Sequence, residues 1–552
     1  MKKFLPILSL FAIALSGCKV INSGYHPSSG DTSPNTGSNT NTGTSTDTGT
    51  SDTNTNTQTT DTSTERTGTV EVKLAGINDF HGHIEEEGNI VGLAKMATYI
   101  KSKKSEGALV LNSGDMWQET FLASECKGTI ISKAFRTSGV DVNTLGNHDF
   151  DWGVDAIRLN EQAEYFGELT LGANIMSYPK NGNSWTKADL GKEYKTFVLN
   201  EGTDKEVKVG VVGIIGKDQL TSITSKFVED YVFLEHNQVI KDVSTKLRKQ
   251  EGCDIVVASC HTPANQLDDS LFDKDSNGKR KYIDAAFCAH DHSLYSSSVN
   301  GAPVIEAQSY GKYGAEVSLT FNLDTGKVED SSYKNVQLSS LKLKEDPEVK
   351  ADVDALVKEC GEKGDTVYGT VTSYFSKDNI GRWQAQCAAE KASELGVNVD
   401  YVIVNSARAY LQSGTVNHYK MYETHPFVND LYVVRVSMSD VYGEIYNYSN
   451  PFYRVTKNAL EDNRNKYVTI LVYNYLLFHV SVNNDTYEKK YNYFYSLNTS
   501  GEVPTLFTDN LGNKLNVLDL TIKDLQKKGT IDPANYEQNS WRNSKDLLTA
   551  AQ

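Results

Sequence analysis

The sequence predicts an α/β protein whose body consists of two domains joined by a helix. From Thr69 to Leu341, apolar β-branched runs that are typical of strands alternate with stretches of helical character. The charged segment Asp346–Lys363 is compatible with a helix, and a second alternating region begins near Asp365. With 552 residues, the chain is long enough for several domains that each bury a sizeable core.

The individual elements follow from local patterns, taken in chain order. In the first region we expect strands at Val70–Asn78, Gly107–Asn112, Val140–Leu145, Val207–Ile215, Asp254–Ser259 and Tyr282–Ala289. Helices in the same region are expected at Gly92–Lys103, Thr129–Thr137 and Gln238–Gln250. The second region is expected to open with a strand, a helix and a strand at Tyr368–Phe375, Gly381–Leu395 and Tyr401–Asn405.

The N-terminus has the pattern of an export signal. Two lysines precede an apolar stretch, Phe4–Leu15, which is too short to span a bilayer and is typical of a secretory signal. The tetrad Leu-Ser-Gly-Cys that ends at Cys18 resembles a bacterial lipobox, in which this cysteine becomes the lipidated first residue. The alternative is an ordinary signal peptide with an incidental cysteine. Lys19 is not an aspartate, which favours an exported lipoprotein anchored in the outer membrane.

The expected boundaries follow from changes in composition. Residues 1–18 are predicted to be the signal peptide, and residues 19–68 a disordered Ser/Thr/Asn/Gly tether with little apolar surface to bury. Residues 69–341 are predicted to form the first domain, 342–364 a linking helix and 365–552 a smaller α/β domain. The net charge is −16 and no Lys/Arg stripe stands out, so a nucleic-acid polymer is not an expected partner.

Polar clusters follow five of the expected strands. They are Asp79-Phe80-His81, Gly114-Asp115, Gly146-Asn147-His148-Asp149, Cys260-His261-Thr262 and His290-Asp291-His292. Ligands of α/β sheets bind beyond the carboxyl ends of the strands, so we expect these carboxylates, imidazoles and one amide to converge at one edge. Core packing does not explain such a set.

The residue types in these clusters indicate a pair of divalent metal ions. Asp115 is placed to bridge the two ions, with the other ligands being Asp79, His81, Asn147, His261, His290 and His292. Imidazole and carboxylate ligands together suit Zn, Mn, Fe or Co better than Mg alone. His148 is expected beside the metals, where Asp151 orients its ring and the imidazole protonates a leaving oxygen. His83 is either an outer contact of the metals or an exposed residue.

Three motifs closely resemble those of the bacterial 5′-nucleotidase family of calcineurin-like metallophosphatases. They are Asn78-Asp79-Phe80-His81-Gly82-His83, Gly146-Asn147-His148-Asp149-Phe150-Asp151 and His290-x-His292. The resemblance implies a β-sandwich catalytic domain flanked by helices, with one metal on Asp79, His81, Asp115 and His292. It implies a second metal on Asp115, Asn147, His261 and His290. It also implies a catalytic dyad of His148 and Asp151, and attack on phosphorus by metal-activated water.

The resemblance also assigns nucleotide binding to the second domain. It implies substrate contacts from Arg382, Arg408, Phe427 and Asn429, in fragments that read Asn379-Ile380-Gly381-Arg382, Asn405-Ser406-Ala407-Arg408 and Pro426-Phe427-Val428-Asn429. A second base-stacking ring is expected at Tyr475 or Phe478. The glycine-rich loop that accompanies this ring in the family is replaced by Asn483-Asn484-Asp485-Thr486, which predicts a remodelled base pocket.

The sequence therefore predicts a membrane-tethered, two-metal phosphohydrolase, with 5′-nucleotidase activity as the first hypothesis. The alternatives are a 2′,3′-cyclic-nucleotide phosphodiesterase or UDP-sugar hydrolase with a remodelled base pocket, and a non-enzymatic surface-binding lipoprotein. Cys260 and Cys288 precede metal-ligand histidines and are open to three interpretations, as soft ligands, core residues or a disulfide. The last two are favoured because cysteine is commonly buried.

Overall fold

The computed structural model describes residues 65–537 except 178–185, 428, 448, 456–462 and 479–493. Four parts of the chain lie outside the described residues: the predicted signal peptide with Cys18, most of the predicted tether, the segment Asn483–Thr486 and residues 538–552. Among the helices that are described, none combines the length and apolar character needed to cross a bilayer.

The first region follows the alternation that the sequence pattern predicts. Its strands are β1 (Thr69–Ile77), β2 (Leu109–Asn112), β3 (Val142–Thr144), β4 (Thr170–Leu171), β5 (Ile175–Ser177), β6 (Thr186–Lys187), β7 (Tyr194–Leu199), β8 (Val207–Ile215), β9 (Tyr231–Phe233), β10 (Ile255–His261), β11 (Ala285–Phe287), β12 (Leu294–Val299), β13 (Ala302–Ala307), β14 (Tyr313–Asn322) and β15 (Lys327–Gln337). Its α-helices are α1 (Gly92–Ser105), α2 (Phe121–Glu125), α3 (Thr129–Ser138), α4 (Val154–Asn160), α5 (Ser225–Val228) and α6 (His236–Lys249).

Two mixed sheets pack face to face in this region. The first has the strand order β15-β14-β1-β2-β3-β4 and the second the order β12-β13-β11-β10-β8-β7. Buried side chains of both sheets, such as Leu111 and Val142 of the first and Val211 and Val257 of the second, share one core cluster. Gly76 allows the close approach, because a Cβ atom there would lie 2.3 Å from the Phe287 ring. The predicted β-sandwich with flanking helices is confirmed.

The central strands of both sheets are parallel, and this brings their carboxyl ends together. β1, β2, β3 and β4 are parallel neighbours in the first sheet, and β8, β10, β11 and β13 are parallel neighbours in the second. All residues of β2, β3, β10 and β11 are buried, which explains their near-continuous apolar or small sequences. The polar clusters that follow β1, β2, β3, β10 and β11 therefore meet at one edge.

A long helix leads from the first region to the second. It is α7 (Pro347–Gly364), and it begins where Asp346 accepts a hydrogen bond from the backbone N–H of Val349 at 3.1 Å. An aspartate N-cap followed by proline at the first helical position is a strong start signal. Its buried side chains, Val353 among them, belong to the large core cluster that also contains residues of α1.

The second region is a smaller α/β arrangement. Its strands are β16 (Val367–Val371), β17 (Tyr401–Ile403), β18 (Gly414–Asn417), β19 (Leu431–Ser437), β20 (Phe452–Arg454), β21 (Tyr467–Tyr473), β22 (Thr505–Leu506) and β23 (Thr530–Ile531). Its α-helices are α8 (Lys377–Glu394), α9 (His418–Thr424), α10 (Met438–Tyr442), α11 (Asn474–Leu477), α12 (Leu497–Ser500) and α13 (Val517–Lys528). The main sheet has the order β20-β17-β21-β19-β22, and β18-β16-β23 form a smaller one.

Element boundaries differ from the sequence expectation where local capping decides them. α8 begins at Lys377, four residues before the expected start, because the Ser376 hydroxyl accepts a hydrogen bond from the backbone N–H of Asn379 at 3.3 Å. β16 ends at Val371, and Phe375 instead forms an isolated bridge with Leu411.

No disulfide joins the cysteines in the described part of the chain. Cys260 and Cys288 are fully buried in the same apolar cluster on the outer side of the second sheet. This agrees with the interpretation of these residues as core side chains, and the structure shows no disulfide between them.

Candidate metal centre

The backbone at the candidate ligands is unusual. Five of them are non-glycine residues with left-handed backbone angles, with φ of 47° at Asp79, 51° at His81, 53° at Asp115, 90° at His290 and 57° at His292. This conformation is disfavoured for residues with a Cβ atom and concentrates at functional sites, where the surrounding structure enforces it. The strand ends therefore turn sharply so that these side chains point toward one another.

A first donor group consists of Asp79, His81 and His292, whose ligand atoms lie within 4.8 Å of one another. The Nε2 atoms of His81 and His292 are 3.1 Å apart. Asp79 Oδ1 is 3.7 Å from the first of these nitrogens and 3.5 Å from the second. This carboxylate oxygen is buried and has no hydrogen-bond partner among the described residues, which is costly unless a cation binds there.

A second donor group contains Asp115, His261 and His290, with Asn147 between them. His261 Nε2 lies 3.1 Å from Asp115 Oδ2 and 3.1 Å from Asn147 Oδ1. His290 Nδ1 is 2.9 Å from the same amide oxygen. Asp115 Oδ2 is also 3.7 Å from His81 Nε2 of the first group, so one carboxylate oxygen faces both groups.

The outer contacts of two histidines fix which ring nitrogen faces the donor groups. His81 Nδ1 lies 3.0 Å from the carbonyl oxygen of Gln118, and His261 Nδ1 lies 2.9 Å from that of Ser113. A carbonyl only accepts, so each Nδ1 carries the proton and each Nε2 presents a lone pair, which is the arrangement of metal-ligand histidines. The donor set of imidazoles, carboxylates and one amide oxygen fits two borderline divalent cations.

The charges of the protein itself also favour cation binding at this site. Burial would lower the pKa of His81, but the nearby carboxylates of Asp79, Glu119 and Asp115 outweigh it and raise that pKa to about 9. Burial would also lower the pKa of His261, but the charge of Asp115 outweighs it and raises that pKa to about 9. The buried carboxylates thus attract positive charge to the place where cations would bind.

The structure brings together the two residues of the predicted dyad, His148 and Asp151. His148 Nδ1 lies 2.6 Å from Asp151 Oδ2, and the backbone N–H of His148 donates to Asp115 Oδ1 at 2.8 Å. Burial raises the pKa of Asp151 in spite of the lowering effect of His148. The His148 ring lies beside the first donor group, with its centroid 5.3 Å from that of His81.

Two glycines let the loops of the site approach one another. A Cβ atom on Gly146 would lie 2.2 Å from Asp115 Oδ1, and one on Gly114 would lie 2.5 Å from His261 Nδ1. The glycine that precedes Asn147 is therefore required for the backbone to pass directly against the carboxylate that faces both donor groups.

A cavity of about 410 Å³ adjoins the second donor group. Its lining combines residues of the donor groups and the dyad with residues of the second region, among them Asn147, His148, Asp151, His290, Arg408, Phe427, Asn429 and Tyr475. Three of the four predicted substrate residues therefore reach the cavity. Of the two candidates for the second ring, the structure places Tyr475 at the cavity, whereas Phe478 packs edge-on against Tyr432.

Arg382 is placed differently. Its guanidinium donates to the side-chain oxygen of Asn379 and to the carbonyl oxygen of Tyr536, the latter at 3.3 Å. It is not among the residues that line the 410 Å³ cavity in the described part of the chain. The helical position of Arg382 on α8 directs it to the turn at Tyr536, so its predicted role in substrate binding stays a prediction without support from this geometry.

Sequence reasoning missed several residues of the site. Tyr310 packs against the rings of His81, His83 and His292, with centroid distances of 5.7, 4.4 and 5.3 Å, which also accounts for the position of His83. The cavity is also lined by Thr224 and Phe227, from the start of α5 in the first region, and by Asn450. No motif marks these residues, and only the fold brings them to the site.

Comparisons with known proteins agree with the geometry. The family model described as calcineurin-like phosphoesterase matches residues 72–294. Endonuclease YhcR of Bacillus subtilis (strain 168) is 22% identical over 67% of this chain, and snake venom 5′-nucleotidase of Gloydius brevicauda is 25% identical over 62% of it. The chain spans 32% of the first relative's length and 59% of the second's, less than two thirds of either.

Solved structures show the same architecture. The crystal structure of a 5′-nucleotidase precursor from Thermus thermophilus superposes with a TM-score of 0.66 at 16% identity. That match covers 84% of this chain and 97% of the other, so it includes both regions and the helix between them. The family resemblance of the sequence motifs is thereby confirmed: residues 72–294 match the calcineurin-like phosphoesterases, and the described part of the chain shares its fold with a solved 5′-nucleotidase precursor.

Proposed function

We propose that the protein is a metal-dependent 5′-nucleotidase that uses two divalent ions. The observation that carries this proposal is the cavity that joins the second donor group to Arg408, three aromatic rings and several amide side chains. A guanidinium suits a phosphoryl group, and rings with amides suit a nucleoside. The cavity size is within the range typical of small-molecule sites, about 300–1,000 Å³.

Each residue of the centre has a role in this proposal. Asp79, His81 and His292 would hold one ion, Asn147, His261 and His290 the other, and Asp115 would contact both. Two divalent cations supply Lewis-acid stabilisation of phosphoryl charge and a nucleophilic water at neutral pH. His148, oriented by Asp151 at 2.6 Å, donates a proton to the leaving oxygen. Arg408 binds the phosphoryl oxygens from the side of the second region.

Three aromatic residues line the cavity, Phe227, Phe427 and Tyr475. The Phe427 ring is stacked on His148 with centroids 5.4 Å apart and an interplanar angle of 16°, and the Arg408 guanidinium lies 5.6 Å from its centroid. Phe427 therefore lies between the proposed general acid, His148, and the proposed phosphoryl-binding residue, Arg408. Phe227 and Tyr475 also line the cavity, and we assign the nucleobase to them.

The substrate proposal is tested with AMP, 2′,3′-cyclic AMP, UDP-glucose and an aryl phosphate, assayed with Mn²⁺ and with chelator. We expect chelator-sensitive phosphate release from AMP. Tyr475→Ala should raise KM for AMP by about 5–150-fold, because stacking on a base contributes about 1–3 kcal/mol, and should leave turnover of the aryl phosphate unaffected. Phe478→Ala is the matched control, since that ring packs against Tyr432.

Other outcomes of the same panel identify the alternatives. Faster turnover of the cyclic nucleotide or of UDP-glucose than of AMP would replace 5′-nucleotidase activity with the corresponding phosphodiesterase or sugar-nucleotide hydrolase activity. An equal loss of AMP and aryl phosphate turnover in Tyr475→Ala would contradict the assignment of the nucleobase to this ring.

We also propose that the enzyme is exported and anchored through a lipid on Cys18, from the lipobox-like tetrad at the end of the apolar N-terminal stretch. In a bacterial host, Cys18→Ala is expected to shift the protein from the membrane fraction to the soluble extracytoplasmic fraction. Membrane association that survives this substitution would contradict the lipid anchor.

A further inference from the structure

Glu119 occupies a strained position beside the metal centre. It lies four residues after Asp115 in the loop that follows β2, and its φ is 151°, in the region that favours glycine. Its side chain is only 15% exposed. A buried carboxylate on a backbone better suited to glycine needs a compensating interaction.

That interaction is with Arg408 of the second region. Glu119 Oε2 lies 3.5 Å from Arg408 Nη2, at the outer limit of a hydrogen bond, and 3.5 Å from His81 Nδ1. The imidazole N–H already donates to the Gln118 carbonyl oxygen at 3.0 Å. The Glu119 carboxylate therefore pairs mainly with the Arg408 guanidinium.

Part of the Arg408 guanidinium has no hydrogen-bond partner among the described residues. Arg408 Nε is buried and has no hydrogen-bond partner among the described residues, although Arg408 lines the cavity. Glu119 holds Nη2 of Arg408, and the guanidinium lies over the Phe427 ring. The guanidinium therefore keeps unpartnered N–H groups that an incoming anion can accept from. Guanidinium groups bind phosphoryl oxygens best when two N–H groups are presented in fixed geometry.

We propose that Glu119 is a positioning residue that holds the guanidinium of Arg408 beside the metal centre, so that its free N–H groups receive the phosphoryl group of the substrate. The inference rests on the proposed hydrolysis of phosphoesters at this centre and does not depend on the nucleoside. The alternative is that the negative charge of the Glu119 carboxylate repels the phosphoryl group.

The decisive variant is Glu119→Gly, because glycine accepts the backbone angle and the loop should keep its conformation. With an aryl phosphate as substrate and inorganic phosphate as competitive inhibitor, we expect KM and the phosphate inhibition constant to rise about tenfold. This is the scale of one hydrogen bond to a charged group. We expect kcat and the bound-metal content to stay close to the wild-type values, and Glu119→Gln to retain part of the effect.

A double-mutant cycle distinguishes positioning from a merely structural role. In an Arg408→Ala background, Glu119→Gly should change the phosphate inhibition constant less than about twofold, because no guanidinium remains to be positioned. Glu125→Gln is the matched control, since Glu125 is also paired with a cationic side chain, the Lys363 ammonium at 2.8 Å, but does not line the cavity. Glu125→Gln should leave KM for the aryl phosphate and the phosphate inhibition constant unchanged.

Two results would overturn the proposal. Tighter phosphate inhibition in Glu119→Gly would mean that the carboxylate repels the anion, and fully additive effects with Arg408→Ala would mean that the two residues act independently. Failure of the nucleotidase proposal is a separate result, because the aryl phosphate and inorganic phosphate probe the phosphoryl site alone.

Discussion

His148→Ala is expected to lower kcat for AMP by about 10²–10⁴-fold, the usual contribution of a positioned general acid. KM should change little, because His148 is not among the residues that bind metal or phosphate in the proposed mechanism. The position of His148 explains this effect: Asp151 holds its imidazole at 2.6 Å, its backbone N–H donates to Asp115 at 2.8 Å, and the residue lines the cavity. Steady-state kinetics of the purified variant measures the effect.

The leaving group provides the control for this prediction. An aryl phosphate with an acidic phenol needs little protonation, so the same variant should lose much less activity toward it than toward AMP. Asp151→Asn should show the same dependence, because it removes the carboxylate that accepts from Nδ1 and stabilises the protonated imidazole. An equal loss for good and poor leaving groups would contradict the role of His148 as general acid.

Asp115→Asn is expected to remove at least one bound metal ion and to lower activity by more than about 100-fold. Removing partners that merely orient metal ligands already costs about 10–100-fold, and Asp115 Oδ2 faces both groups, 3.1 Å from His261 Nε2 and 3.7 Å from His81 Nε2. Elemental analysis of the purified protein measures the metal content, and AMP turnover measures the activity.

Asp291→Asn is the matched control for this substitution. Asp291 lies between His290 and His292 in sequence, but its side chain is exposed and belongs to neither donor group. It should retain both ions and most of the activity. Full metal content in Asp115→Asn, or metal loss in Asp291→Asn equal to that of Asp115→Asn, would contradict the assignment of Asp115 to the position between the ions.

The donor groups could be predicted from sequence because each is encoded locally. A parallel strand that ends in Asp-x-His, Gly-Asp or Asn-His needs no tertiary information beyond the rule that parallel strands end at a common edge. The register then brings Asn112 of β2 beside Ile77 of β1 and Asn143 of β3, so the loops that follow start level with one another. The fold class follows from the same alternation of elements.

The substrate side could not be predicted in the same way. The pair formed by Glu119 and Arg408 joins residues 289 positions apart, and the Gln118 amide donates to the Pro426 carbonyl across 308 positions. Such contacts depend on how the second region packs on the first, which no local pattern encodes. The stacking of Phe427 on His148 and the place of Arg382 at Tyr536 have the same origin.

The proposed mechanism requires the two donor groups to hold two cations that share Asp115. An anomalous-difference map from crystals grown with Mn²⁺ locates such cations. We expect two peaks about 3.5–4 Å apart, one beside Asp79, His81 and His292 and the other beside Asn147, His261 and His290, with the Asp115 carboxylate between them. A single peak, or none at these side chains, would contradict the proposed mechanism.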